Sequence, residues 1–371
     1  MELVVDLAFV VAVAQAAASL HHGLATGIIW HSIVGYIAVF FAVWWAWMNY
    51  TWFGSAFDND DHLYRLALFV QIGGVVVLAA GVASAFDGNF AIVTIGYVIM
   101  RVAMVFQWWR VSKHPQGRPA APRYALGIVI LQVGWLALLA VSAPAKWFGF
   151  AILVLGEFAV PIIAERDHPT AWHPGHIVER FGLLTIIVIG ESITSAMVAI
   201  KAAVDTRQHI GTYITIAIGA VTTVAAMWWL YFGIDHERTL VTAHESGATQ
   251  RRRAFAWAYG HLVVFAAVAA IGASIAVATE SVAARSAGEQ EASHGVAHPG
   301  LVYTIPVAVY LVAVWLLHRK SGARAGWKAY LVPATAIAII PIGFSEHAVL
   351  VGGVLLAALI GVLLGGSVRR R

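Results

Sequence analysis

Cysteine is absent from the 371 residues. That excludes a disulfide framework, a Cys-ligated zinc or iron–sulfur site and a thiol nucleophile. Charge is scarce as well: 11% of the residues are Asp, Glu, Lys or Arg, against about 25% in a soluble globular chain. So little polar surface cannot coat a water-soluble particle of this size. Long polar stretches are also missing. The longest segment between apolar runs, roughly 280–299, is too short for a folded domain. There is no P-loop and no dinucleotide fingerprint. No span carries a mid-depth lysine for a retinal Schiff base, and a pair of mid-span axial histidines for haem cannot be assembled. The residues therefore give no reason to expect a cofactor. The N-terminus has neither a basic n-region nor a small-residue cleavage site, so its first apolar run reads as a retained span.

What is present is apolar: 60% of the chain, with a mean hydropathy of +0.79. The apolar residues fall in blocks of roughly 18–25, the length that crosses a hydrocarbon core. The blocks predict an all-α, polytopic membrane bundle with about twelve transmembrane helices. They run at about 3–20, 28–53, 63–86, 89–110, 124–142, 147–164, 177–200, 211–234, 254–279, 300–318, 327–343 and 345–366. Pro333 and Pro341 make a re-entrant hairpin the alternative for the last pair. Basic residues cluster in alternate loops: Arg110, Lys113, Arg118 and Arg123; Arg238 and Arg251 to Arg253; Arg319, Lys320, Arg324 and Lys328; and Arg369 to Arg371. The opposite side holds Lys146, Lys201, Arg207 and Arg285. The positive-inside rule then places both termini in the cytoplasm. The net charge of +4 sits between spans, so the lipid bilayer, and no nucleic acid, is the expected partner. Nothing in the residues fixes an oligomeric state.

The two halves, 1–164 and 177–366, echo each other. Span 2 ends in Trp44-Trp45-Ala46-Trp47 and span 8 in Trp228-Trp229-Leu230-Tyr231; span 4 closes on Trp108-Trp109-Arg110 and span 10 on Trp315 and His318-Arg319. An even number of spans per half predicts a 6+6 parallel repeat, an arrangement that transporters use with a site near the midplane. Interfacial Trp and terminal Arg are also general membrane grammar, which is the plainer explanation.

Ionisable groups inside spans each need a reason. Arg101, Glu157 and Glu191 all fall within about 5 Å of the midplane at 1.5 Å rise per residue. One cation and two carboxylates suggest a buried pair, Arg101 with Glu157 or Glu191, and a spare carboxylate able to carry a proton. A helix-stapling pair is the structural alternative. Asp6 and His261 lie nearer the cytoplasmic ends of their spans. Trp45, Asn49 and Trp52 share a helix face, as an aromatic pocket with a polar anchor or as an interfacial belt. Next come Asp58-Asn59-Asp60-Asp61-His62 and Arg65. Helix capping and an Asp61–Arg65 pair account for this acidic motif; the glycine and distal glutamate of an EF-hand are missing. His168, His173, His176 and Glu179 have a spacing compatible with zinc, but a Pro- and Gly-rich interfacial loop explains them without a metal.

Taken together these stretches resemble the bacterial low temperature requirement protein A (LtrA) family. The resemblance rests on Glu2-Leu3-Val4-Val5-Asp6-Leu7-Ala8-Phe9-Val10, on Trp44-Trp45-Ala46-Trp47 through Asn49, Tyr50 and Thr51, and on Phe57-Asp58-Asn59-Asp60-Asp61. The second half adds Glu179-Arg180-Phe181-Gly182 through Gly190-Glu191-Ser192, and Tyr259-Gly260-His261. It implies a bacterial cell-membrane protein linked to growth in the cold and supplies no biochemical activity; because its most specific block surrounds Glu191, the resemblance favours Glu191 over Glu157 as the partner of Arg101. Three functions follow from the residues. The first is a secondary transporter or proton-coupled permease for a small molecule or ion. The second is an intramembrane enzyme on lipid or polyprenyl substrates using Asp6, Glu191 and His261. The third is a non-catalytic sensor or stabilising factor. The topology is directly testable: a reporter fused after residue 290 should read outside, and one fused after 245 or 371 should read cytoplasmic. An external reading at 245 would mean a miscounted span upstream.

Overall fold

The computed structural model describes residues 2–57, 60–115, 119–167, 170–206, 209–233, 248–286, 298–319 and 327–365. Every regular element among them is helical. That is what hydrocarbon demands of an open chain, because each backbone N–H and C=O must be paired within its own segment. In order they are α1 (Glu2–Ala25), α2 (Ile29–Phe57), α3 (His62–Ala80), α4 (Val82–Phe86), α5 (Ala91–Val111), α6 (Ala121–Leu138), α7 (Ala145–Ala164), α8 (Pro174–Thr206), α9 (Ile210–Phe232), α10 (Ala248–Ser286), α11 (Pro299–Arg319), the 3-10 turn η1 (Trp327–Tyr330), α12 (Leu331–Ile339), η2 (Ile340–Phe344) and α13 (Ala348–Gly365).

Among the described residues, eleven helices are long and apolar enough to cross a membrane. A further apolar segment, Leu331–Phe344, is shorter. It passes from α to 3-10 geometry at Ile340, where Pro341 has no N–H to continue the α ladder. The span expected over 63–86 is likewise broken, at Gly81, into α3 and α4.

The chain forms two compact units: Met1–Ala16 with Ala38–Ile177, and Ala17–Ile37 with Val178–Arg371. Within unit 1, α3 packs on α5, α5 on α6 and α6 on α7. Within unit 2, α10 packs on α11, α11 on α12 and η2, and α9 on α13.

Small residues set the closest approaches. A Cβ built on Gly74 of α3 would stand 2.8 Å from the Gly96 carbonyl oxygen and 2.9 Å from the Met100 nitrogen of α5. In unit 2 a Cβ on Gly219 of α9 would lie 2.4 Å from the Val349 carbonyl oxygen of α13. Both helix pairs are in backbone contact, the packing available to membrane helices that have no hydrophobic effect between them. Proline is accommodated by the same logic. Pro306 inside α11 cannot donate to the Val302 carbonyl four residues back; the Ser274 hydroxyl of α10 lies 2.8 Å from that oxygen and shares its proton between it and the Ala270 carbonyl of its own helix at 2.6 Å.

The α3–α5 contact yields a paired prediction. Gly74→Ala should cost about 1–3 kcal/mol of stability, because the backbone cannot yield to the added methyl. Gly73→Ala, where nothing lies within 4 Å, should be neutral or stabilising by up to about 1 kcal/mol through helix propensity. Thermal unfolding of the purified variants reads both; equal effects at the two positions would refute the close packing.

Candidate functional site

Glu157 lies on α7 with no exposed surface. Its Oε1 accepts from the Tyr97 hydroxyl at 2.7 Å, Trp135 Nε1 at 3.1 Å and Gln132 Nε2 at 3.4 Å. Its Oε2 accepts from Trp45 Nε1 at 2.8 Å and from Arg101 Nη2 at 2.8 Å. The donors come from α2, α5 and α6, so one carboxylate ties four helices together. Helical spacing supplies the pairs: Tyr97 and Arg101 are i, i+4 on α5, and Gln132 and Trp135 are i, i+3 on α6.

Arg101 is equally buried, and its guanidinium lies 5.6 Å from the centre of the Tyr97 ring. A guanidinium stays charged at any accessible pH, so in a low-dielectric core it needs a carboxylate. That partner is Glu157. The expectation that Arg101 would favour Glu191 is corrected: Glu191 sits in unit 2, half-buried near the middle of α8, and has no hydrogen-bond or ion-pair partner among the described residues. The five donors engage both oxygens of Glu157, leaving no open place for a substrate donor.

The tryptophans of span 2 are not an interfacial belt. Trp44, Trp45 and Trp47 are buried at 2%, 0% and 1% exposure. Trp47 Nε1 donates to Asp6 Oδ1 at 2.7 Å, so Asp6, also in unit 1, is held by an indole as Glu157 is. Asn49 donates to the Trp45 carbonyl of its own helix, and Trp52 packs on Trp172; the two do not form a pocket around Asn49.

The acidic motif caps and clamps. Asp61 is the N-cap of α3, accepting from the Tyr64 N–H at 2.7 Å. It pairs with Arg110 of α5 rather than with Arg65, and Arg65 pairs with Asp60 at 2.6 Å. The Tyr64 N–H, and then Arg110, hold the Asp61 carboxyl below the usual carboxylate range. Asp58 lies outside the described residues, as does His168. His173 donates its backbone N–H to Ser55, and His176 Nε2 lies 3.0 Å from Glu2 Oε2.

A pocket enters unit 1 between α2, α5, α6 and α7. Its open space is about 610 Å³ with the mouth included, of which the part that accepts water centres is about 50 Å³. Two of its walls, Tyr97 and Trp135, are side chains that hold Glu157. Sequence reasoning missed Tyr97, Gln132 and Trp135. The available signal was the recurrence of polar-tipped side chains at i, i+3 and i, i+4 inside apolar spans.

A family model of the bacterial low temperature requirement A proteins (LtrA) matches residues 1–364, almost the whole chain. The chain belongs to the LtrA family. An uncharacterized protein of Rhizobium meliloti (strain 1021) is 26% identical over 288 residues, covering 72% of this chain and 67% of that protein. No solved structure matches. Membership in LtrA agrees with a helical multi-pass chain but brings no reaction, so the chemistry must be read from the side chains.

For this LtrA chain the remaining candidate is His261, fully buried in unit 2. Its Nδ1 lies 2.8 Å from the Trp257 carbonyl oxygen. A carbonyl can only accept, so Nδ1 carries a proton and, in the neutral ring, Nε2 accepts from the Tyr231 hydroxyl at 3.0 Å. Phe181, Trp257 and Phe265 enclose the ring at 4.2–5.6 Å between centroids. Both nitrogens are engaged by protein groups.

The Arg101–Glu157 pair gives a mutant cycle. Arg101→Met and Glu157→Gln should each cost about 3–5 kcal/mol by stranding one buried partner, and the double variant should cost less than either single. A parallel cycle with Glu191→Gln should be additive within about 0.5 kcal/mol. Additivity in the Glu157 cycle, by thermal unfolding in detergent, would show that the pair is not energetically coupled.

Proposed function

We propose that the protein is a secondary transporter or proton-coupled permease for a small molecule, working in the bacterial cytoplasmic membrane with both termini cytoplasmic. The observation that carries this is the pocket of unit 1, which enters the helix bundle and ends on Tyr97 and Trp135 beside a buried charge pair. Ligand pockets between bundle helices, apolar with few polar groups, fit this geometry. Glu157, paired with Arg101, fixes the Tyr97 and Trp135 walls from behind. Glu191, mid-span and without a protein partner among the described residues, is the group free to exchange a proton. The Lys and Arg distribution supports the orientation.

A duplicated architecture of 1–164 and 177–366 accompanies this reading. It is supported by a shared packing order: α3, α5, α6 and α7 contact in sequence in unit 1, as do α10, α11, α12 and α13 in unit 2. The enzyme alternative is less well supported, since Asp6 Oδ1 accepts from Trp47 and both ring nitrogens of His261 are engaged by Tyr231 and Trp257.

The test compares deletion and complemented strains, grown in the cold, by untargeted measurement of solutes and lipids inside and outside the cell. Transport predicts a solute that redistributes without chemical change. Glu191→Gln, at wild-type protein amount, should reproduce the deletion. Accumulation of a lipid precursor with loss of its product would replace transport by the enzyme reading.

A further inference from the structure

The pocket of unit 1 has a chemical polarity of its own. Phe41, Phe90, Tyr97, Trp135, Trp147 and Phe150 supply its aromatic walls. The rings meet edge to face in series: Phe90 with Trp147 at 5.9 Å, Trp147 with Phe150 at 6.0 Å, Phe150 with Trp135 at 5.3 Å and Trp135 with Tyr97 at 6.2 Å. A single charged side chain joins that lining, Lys146, near the start of α7. It is half-buried, and no carboxylate pairs with it among the described residues. The second outer lysine differs: Lys201 is exposed and pairs with Asp205.

Three charge types of ligand can be weighed against this lining. Aromatic faces carry negative quadrupole density and attract cations, but the Lys146 ammonium opposes a cation within the same lining. A neutral apolar molecule would leave the ammonium partly desolvated and unpaired, which costs free energy. An anion buried among the rings would face their negative faces, so its charge belongs beside Lys146 and its body among the rings. The enclosed volume limits that body to about one ring or a short chain, since a single water takes roughly 10–15 Å³ by the same measure.

We propose that this pocket binds a small amphipathic organic anion, with its apolar ring or chain against Trp135, Trp147 and Phe150 and its acidic group on Lys146. The inference deepens the transport reading in calling the ligand a substrate; binding itself is independent of transport. Free organic acids and anionic lipid chains share this chemistry.

The experiment uses the purified full-length chain in nanodiscs of zwitterionic lipid, with phenylacetate, its neutral amide phenylacetamide and the cation phenethylamine as probes. Calorimetry and quenching of tryptophan fluorescence read binding. Phenylacetate should bind at least tenfold more tightly than the other two. Lys146→Gln should remove that preference, while Lys201→Gln should leave it intact. Among the described residues Lys146 makes no ion pair whose loss would unfold the chain, and an unchanged melting temperature for Lys146→Gln verifies this. Nanodiscs containing anionic lipid separate the sources: competition with phenylacetate assigns the pocket to lipid, and undisturbed binding assigns it to a free acid. Equal binding of acid and amide, tighter binding of the amine, no binding of any probe, or an unaltered preference in Lys146→Gln overturns the proposal. Acid binding without solute redistribution in the strain comparison would sink the transport reading and leave the anion site standing.

Discussion

Neutralising Arg101 inside hydrocarbon is the constraint on which unit 1 is built. The guanidinium cannot release its proton, so burial obliges a carboxylate to stay ionised beside it, and an ionised carboxylate must in turn have its lone pairs filled. Further cations would have repeated the problem. Two indoles, a phenol and an amide solve it without net charge, because each brings an N–H or O–H and the aromatic three add large apolar bodies that pack against the neighbouring helices. Phe158 and Phe41 close around the Trp45 indole at 4.9 and 6.0 Å. The ion pair is thereby held in place by aromatic packing as much as by its own attraction. Pro161, four residues after Glu157 and inside α7, withholds the N–H that would bond the Glu157 carbonyl, so the backbone is locally weakest where the side chain is most firmly tied.

The same accounting separates locked groups from free ones. In unit 1, Asp6 is held by Trp47, Glu157 by five donors, and Glu165 accepts from Tyr124 and Thr170 at 2.9 and 2.7 Å. Donors from neighbouring side chains hold each of these carboxylates in place. Glu191 carries no such bonds among the described residues, and its helix neighbour Gly190 has nothing within 4 Å of an added Cβ. The proposed transport reading therefore has its least obstructed carboxylate in α8.

The fold was legible because the bilayer writes itself into composition: block length, scarcity of charge and alternating loop cations needed no partner residue to be interpreted. The importance of Arg101 and Glu157 was legible for the same reason. The identity of the pairing was not. Depth along a helix follows from counting, but rotation about its axis and the choice of neighbour do not, and Glu157 and Glu191 have nearly the same depth. Trp45 was ambiguous in another way, since an indole suits an interface and a buried carboxylate equally well. The Asp61 cap was readable from spacing, whereas its pairing with Arg110, 49 positions on, belongs to tertiary packing. Lys146 looked like an ordinary loop cation because the rings beside it come from four separate spans.

The helix contacts of the two units differ in kind despite their similar packing order. In unit 2, α9, α10 and α11 are joined by neutral bonds, Thr223 with Tyr303 at 2.6 Å, Tyr310 to the Met227 carbonyl at 2.6 Å, and Ser274 to the Val302 carbonyl, while a buried cation of this unit, Arg180, lies on α8. Neutral bonds of this type cost little to form or exchange in a membrane, each contributing about 0.6–2 kcal/mol, whereas breaking a buried ion pair strands a charge. Elements held by the first kind can shift among alternative partners; elements held by the second act as one body. If the chain alternates between conformations, the rigid body is the pocket-bearing group of α2, α5, α6 and α7, and the yielding contacts are those among α9, α10, α11 and α13. Walls held together by ionic contacts, as in α2, α5, α6 and α7, keep the shape of a ligand pocket better than walls joined by the neutral contacts of α9, α10 and α11.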